Sequence, residues 1–300
     1  TAQNVQALSL TATSATSVVG TGNAGANLTG SSFSTDLTSF DASAVTAGAV
    51  TYTSDALTKA STVKGGAGND VINMAAATAA VVLSGNAGND TLTGGTVADT
   101  INGGESNDII TGNGGADNLT GGAGYDMFKF IEATHSNGVN ADTITDFVSG
   151  TDKLGIQSNK AITYAGEVSD YGTALTTLDK TKTKAIAVLD TATSTLYVDL
   201  NADGALTVAD LAIKLNVNDL SQTDFATFGT TGVETITLTA GVDTIYGLGG
   251  ADTINVVTNT TAIAAVSTDG KSIATTVNQV HGLYDFVTGI FTSSATAALD

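Results

Sequence analysis

Residues 85–129 read GNAGNDTLT (85–93), GGTVADTIN (94–102), GGESNDIIT (103–111), GNGGADNLT (112–120) and GGAGYDMFK (121–129), five nine-residue units in tandem. The sixth residue of each unit is aspartate (Asp90, Asp99, Asp108, Asp117, Asp126), and the eighth is large and apolar (Leu92, Ile101, Ile110, Leu119, Phe128). A further unit, GGAGNDVIN, fills 65–73 with Asp70 and Ile72 in the same places. Another, GLGGADTIN, fills 247–255 with Asp252 and Ile254, after a partial copy, GVDTIY (241–246), with Asp243 and Ile245. A merely glycine-rich turn region in an ordinary β-protein does not keep such a register.

Self-similarity at a fixed period marks a solenoid. Within each unit the first six residues suit a turn, because glycine adopts positive φ without steric cost. The last three suit a short strand whose eighth residue points inward. Two units then make one coil of two strands and two turns, and each turn stacks on the turn two units away, roughly 4.8 Å off. The expected fold class is all-β, a parallel β-roll or β-helix solenoid, with a small capping region containing a little helix. Stacking places Asp90, Asp108 and Asp126 along one edge, and Asp99 and Asp117 along the other.

Carboxylates at that spacing repel by a little under ~1 kcal/mol per pair even at the dielectric of water, and by more near a protein surface. A counterion between them removes the conflict. A hard divalent cation suits carboxylates and backbone carbonyls, and Ca²⁺ accepts irregular oxygen geometry where Mg²⁺ does not. The chain has no cysteine, and its two histidines, His135 and His281, stand in no ligand pattern, which disfavours zinc, copper and iron. The expected ligands are the aspartates and carbonyls of the turns: Gly65, Ala67, Asn69 and Asp70; Gly85, Ala87, Asn89 and Asp90; Asp99; Gly103, Asn107 and Asp108; Gly112, Gly114, Ala116 and Asp117; Gly121, Ala123 and Asp126. Val97 and Ser106 replace glycine at the fourth position, so those two turns are expected to be strained and their sites weaker. The stretch 75–85 has no aspartate, so the edge it lies on is expected to lack calcium there.

The nonapeptide resembles that of the RTX family, G-G-x-G-x-D-x-U-x with U large and apolar. DTITDFVSGTDKLGI (142–156) resembles the segment that closes the roll in that family, which adds Asp142 and Asp146 to the candidate ligands. The resemblance implies a parallel β-roll, Ca²⁺ between turns, export by a type I system, and folding outside the calcium-poor cytosol. The flanks NVQALSLTATSATSVVGTGNAGANLTG (4–30), LTSFDASAV (37–45) and GVETITLTAG (232–241) are similar to the Thr/Ala/Ser-rich coils of bacterial crystalline surface-layer (S-layer) proteins.

Composition agrees with a cation-binding solenoid. The chain of 300 residues carries 29 acidic and 10 basic residues, a net charge of −19, and every basic residue is lysine. That argues against nucleic acid, whose phosphates call for clustered Arg and Lys. There is no cysteine, so no disulfide, and a bound metal is the alternative staple. The longest apolar run, Met74 to Leu83, is about half the roughly 20 residues of a membrane span. The sequence starts at Thr1 without a signal-peptide pattern, and is expected to be a processed product or a fragment.

Residues 1–64 read as metal-free coils continuing the roll, 65–156 as the calcium-binding roll, 157–230 as a capping region, and 231–300 as a second, degenerate module. Within the third part, DLNADGALTVAD (199–210) matches an EF-hand or dockerin-like loop, with Asp199, Asn201, Asp203, Ala205 and Asp210 as candidate ligands. The competing reading is an Asx-rich turn before a helix-like stretch, VADLAIKL (208–215). In the fourth part Asp243 and Asp252 are further candidate ligands, nine residues apart and so on opposite edges, where they do not share one ion as stacked neighbours, while DFVTG (285–289) echoes DFVSG (146–150).

No HExxH or GxSxG motif is present, and no enzymatic activity is expected. The expected function is a secreted, extracellular calcium-binding structural protein of the cell surface. It would be an S-layer subunit or its lattice-forming part, self-associating and touching cell-surface polysaccharide, with neither nucleic acid nor a membrane span. The alternative is the secretion and folding module of a larger enzyme or adhesin.

Overall fold

The computed structural model is a parallel β-roll. It describes residues 11–28, 32–158, 160, 162–178, 185–207 and 209–228, and beyond these only the backbone of strands at 6–7, 235–237, 243–247, 253–255, 263–267, 281–285 and 290–294. Two eleven-stranded sheets enclose one core. The first sheet contains, among others, the strands Val50–Thr53, Val71–Asn73, Thr91–Thr93, Ile109–Thr111, Met127–Phe130 and Lys153–Gln157 in that order. The second runs through Ser17–Gly22, Ser39–Val45, Ser61–Lys64, Val81–Ala87, Thr100–Glu105, Asn118–Ala123 and Asp142–Ile144.

The coil length is the one the nonapeptide demands. Thr91 pairs with Ile109 and Ile109 with Met127 on one sheet; Thr100 pairs with Asn118 on the other. Two units therefore close each coil. Longer coils flank the repeats: Val71 pairs with Thr91, Asn118 with Thr143, and Met127 with Lys153.

This register stacks the eighth positions into two inward ladders. Ile72, Leu92, Ile110, Phe128 and Leu154 come from the first sheet, and Val63, Leu83, Ile101, Leu119 and Ile144 from the second; all are buried. Fully burying each such side chain stabilises the fold by about 1.5–3 kcal/mol. The N-terminal coils are wider and fill with rings. Phe40 stacks on Tyr52 with centroids 4.3 Å apart, and Phe33 meets the same tyrosine edge-on.

After the repeats the second sheet changes character. Leu211–Lys214 pairs in parallel with Asp142–Ile144 and antiparallel with Thr195–Asp199, followed by Ala185–Asp190 and Ile162–Val168. The helix-like reading of 208–215 is thus corrected: it holds a strand. Leu211 and Ile213 turn into the roll core, while Ser136 receives the Ala212 N–H and returns its hydroxyl to the Ala212 carbonyl. Tertiary pairing overrides the local helix signal. The short α-helix lies earlier, at Tyr171–Thr177, where the Asp170 side chain caps the N–H of Thr173.

Ile162–Val168 forms the end of the second sheet, and its open edge is blunted by a side chain. The Gln222 carboxamide accepts from the Tyr164 N–H and donates to the Ile162 carbonyl, each at 2.8 Å, so it imitates a neighbouring strand. The first sheet runs on: Phe225–Phe228 pairs with Lys153–Gln157 and then with Asp243–Gly247.

Candidate metal centre

Each aspartate sits where a turn meets its strand, and the stacking of coils lines the aspartates up. Asp70, Asp90, Asp108, Asp126 and Asp152 occupy one edge of the roll, and Asp99, Asp117 and Asp142 the other. Along each column the backbone N–H of one aspartate donates to Oδ1 of the next. The bonds Asp70 to Asp90, Asp90 to Asp108 and Asp108 to Asp126 measure 2.7, 2.8 and 2.9 Å. On the opposite edge, Asp99 to Asp117 and Asp117 to Asp142 measure 2.8 and 2.9 Å. The division into two edges matches the sequence expectation.

These carboxylates are buried. Burial penalises their charge and pushes Asp90 up to about 8, Asp108 and Asp117 to about 7, and Asp142 to about 9. Backbone N–H bonds pull the other way, and neighbouring aspartates in the same column add to the rise. Oδ2 of Asp90, Asp108, Asp117 and Asp142 has no hydrogen-bond donor in the protein. A buried carboxylate oxygen without a partner is costly, and a cation is the natural remedy.

The first glycine of each turn shows what surrounds that oxygen. A Cβ built on Gly103 would strike Oδ2 of Asp108 and come within 2.5 Å of the Gly121 carbonyl oxygen. One built on Gly85 would strike Oδ2 of Asp90 and lie 2.6 Å from the Gly103 carbonyl. A carboxylate oxygen of one turn and a carbonyl oxygen of the next thus converge over a bare α-carbon. That is the all-oxygen environment a hard cation takes. Among the described residues no three carboxylate or imidazole groups gather at one point, so an ion here must draw on aspartates and backbone carbonyls together.

The turns take two forms. In 85–90, 103–108, 112–117 and 121–126 the second and fourth residues are left-handed: Asn86 and Gly88, Gly104 and Ser106, Asn113 and Gly115, Gly122 and Gly124. In 65–70 and 94–99 neither position is left-handed, and the N–H of the second residue, Gly66 or Gly95, closes onto Oδ2 of Asp70 or Asp99. The expected strain is therefore carried by Ser106, at φ 80°, and not by Val97, whose turn never enters the region that penalises a β-branched residue.

Other expected ligands have distinct places. Asn69, Asn89 and Asn107 use their side-chain oxygens in a ladder of their own, receiving the N–H of Asn89, Asn107 and Tyr125. Asp142 extends a column. Asp146 stands beside one, holding the amides of Gly121 and Gly122. Asp152, absent from the sequence-based ligand set, continues the first column by accepting from Asp126, while Val148 donates to its other oxygen. Its signal was the third aspartate of DTITDFVSGTDKLGI, obscured because it lies 26 residues from Asp126.

In the 199–210 loop, Asp199 accepts from Asp203 and Gly204, Asp210 from Leu200 and Thr207, and Asp203 from Ala205 and Asn201. The loop joins two antiparallel strands, with Ala205 inside it. Asp252 lies outside the described residues, and Asp243 begins a strand of which only the backbone is described.

Fold and site together define a calcium-binding parallel β-roll. The model of the family described as peptidase M10 serralysin C terminal matches residues 50–227, and that of the RTX calcium-binding nonapeptide repeat (4 copies) matches 228–256. The chain belongs to the serralysin C-terminal family. RTX nonapeptide repeats bind Ca²⁺, and both kinds of domain are typical of proteins secreted by type I systems. No curated protein matches the chain. Among the described residues no helix is long and apolar enough to cross a membrane.

Proposed function

We propose that the chain is a secreted, non-catalytic calcium-binding protein that folds outside the cell when Ca²⁺ enters its aspartate columns, and that it serves as an S-layer subunit or the lattice-forming part of one. The observation that carries the calcium reading is the set of buried, donor-less Oδ2 atoms at Asp90, Asp108, Asp117 and Asp142. Extracellular calcium modules bind in the range of about 10⁻⁴–10⁻³ M, which suits a chain that stays open in the cytosol and closes after export. The lattice reading is supported by the N-terminal coils, whose strands Ser17–Gly22, Ser39–Val45 and Ser61–Lys64 extend the second sheet without any aspartate column. Such coils lengthen a structural rod. Self-association, and contact with cell-surface polysaccharide, belong to this reading.

The match of residues 50–227 to the serralysin C-terminal family favours a second reading, a secretion and folding module serving an extracellular enzyme or adhesin. Electron microscopy of the concentrated protein, with millimolar Ca²⁺ and with chelator, separates the two. Ordered sheets in calcium alone support the lattice role; particles that stay monomeric in calcium at high concentration reject it and leave the module.

A further inference from the structure

Not every interval along the aspartate columns is built alike. Over Gly65, Gly85, Gly94 and Gly103, Oδ2 of the turn's own aspartate shares the space with the first carbonyl of the next turn in the column, so it belongs to the interval between those two turns. Oδ2 of Asp90, Asp108 and Asp117 is without a donor, on side chains that are 1–2% exposed. At the start of each column matters differ. Gly66 donates to Oδ2 of Asp70, and Gly95 donates to Oδ2 of Asp99.

The first carbonyls of these two turns are engaged as well. The carboxamide of Asn86 donates to the Gly65 carbonyl, and that of Asn113 to the Gly94 carbonyl, each at 2.8 Å. Both asparagines hold the second position of the second turn in their column, and both are left-handed, at φ 78° and 68°, a conformation that asparagine tolerates. The deeper turns of the first column carry glycine there, Gly104 and Gly122. The two edges, built from alternate units, repeat the same pair of devices.

We propose that the first interval of each column, between turns 65–70 and 85–90 and between 94–99 and 112–117, is closed by protein hydrogen bonds and holds no Ca²⁺, so that ions load only from the second interval onward. This rests on the calcium reading of the columns and refines which residues take part. An amide N–H and a carboxamide supply at the column start the positive dipoles that ions supply further along. Each column thus starts on a carboxylate with a donor on both oxygens, Val50 and Gly66 for Asp70 and Val81 and Gly95 for Asp99, and the roll has a metal-independent rung on which to stack.

The direct test is anomalous diffraction from crystals of the full chain grown in millimolar calcium. Peaks are expected in the intervals Asp90/Asp108, Asp108/Asp126 and Asp117/Asp142, and none at Asp70/Asp90 or Asp99/Asp117. A peak at either first interval overturns the proposal while leaving the calcium reading intact; no peak anywhere in the columns overturns that reading itself. In solution, native mass spectrometry counts ions on the Asp70→Asn, Asp99→Asn and Asp108→Asn variants, with circular dichroism to verify folding. The first two are expected to keep the wild-type number and the third to lose at least one. Should a first-turn variant not fold, Asn86→Gly with Asn113→Gly serves instead, since glycine suits both backbone conformations. With the amides of Gly66 and Gly95 still in place, the ion count is expected not to fall, and a loss of ions overturns the proposal.

Discussion

The backbone N–H of Asp90 donates to Oδ1 of Asp108 at 2.8 Å, and Oδ2 of that same Asp108 is buried without a donor. One oxygen is thus committed to holding successive coils in register while its twin is left for something the polypeptide does not provide. Structure and ion binding are joined in a single carboxylate. Four predictions follow from this joining and from the fold around it.

The first glycine of an open turn keeps the space for the ion. Gly103→Ala places a methyl group against Oδ2 of Asp108 and the Gly121 carbonyl. It is expected to raise the calcium concentration at the folding midpoint at least ~10-fold, which is about 1.4 kcal/mol. A calcium titration followed by circular dichroism checks this, and an unchanged midpoint contradicts it.

Protons compete with the cation. Asp90, Asp108, Asp117 and Asp142 have folded-state values of about 8, 7, 7 and 9, above the ordinary 3.8 of an unfolded aspartate. A group with a raised folded value contributes stability below its unfolded value and loses it as pH climbs through the folded one. In chelator, the roll is therefore expected to be most stable at about pH 4 and to weaken progressively from there up to about pH 9, where the last of these groups has ionised. In calcium the sense reverses, because the ion needs the deprotonated carboxylate. The calcium midpoint is expected to rise as pH falls below about 7. Thermal melts across pH, with and without EDTA, measure both slopes.

The inward ladder carries the apolar part of the stability. Ile110 is fully buried between Leu92 and Phe128 on the first sheet. Ile110→Ala is expected to cost about 2–5 kcal/mol in saturating calcium, measured by urea unfolding, with the stoichiometry of bound calcium unchanged.

Gln222 guards a sheet end. Gln222→Ala removes the two-point mimic of a strand and bares the Ile162 and Tyr164 backbone groups. Concentration-dependent association is expected, seen as a growing mass in light scattering at millimolar calcium, and a particle mass equal to the wild type's at every concentration contradicts the role given to this side chain.

The roll, its two edges and its inward ladders were legible because one nine-residue period sets them all: Asp108 and Ile110 are two residues apart in every copy of the pattern. Legibility fell wherever the period lapsed. Asp152 joins its column across a coil of 26 residues, so counting by nine misses it. Leu211–Lys214 is a strand because the edge of Asp142–Ile144 was open to pairing, a tertiary fact that its local pattern does not contain. The two forms of turn depend on what lies beneath each one. Turn 65–70 has glycine at both flexible positions and still closes on itself, as does turn 94–99 with Val97.

The most direct test is far-ultraviolet circular dichroism of the full chain at pH 8 during a calcium titration begun in EDTA. A largely disordered spectrum is expected in the chelator, with a cooperative gain of β-signal as Ca²⁺ approaches about 10⁻⁴–10⁻³ M, and no such gain with Mg²⁺. A full β-spectrum in EDTA at that pH, unaltered by calcium, would contradict it.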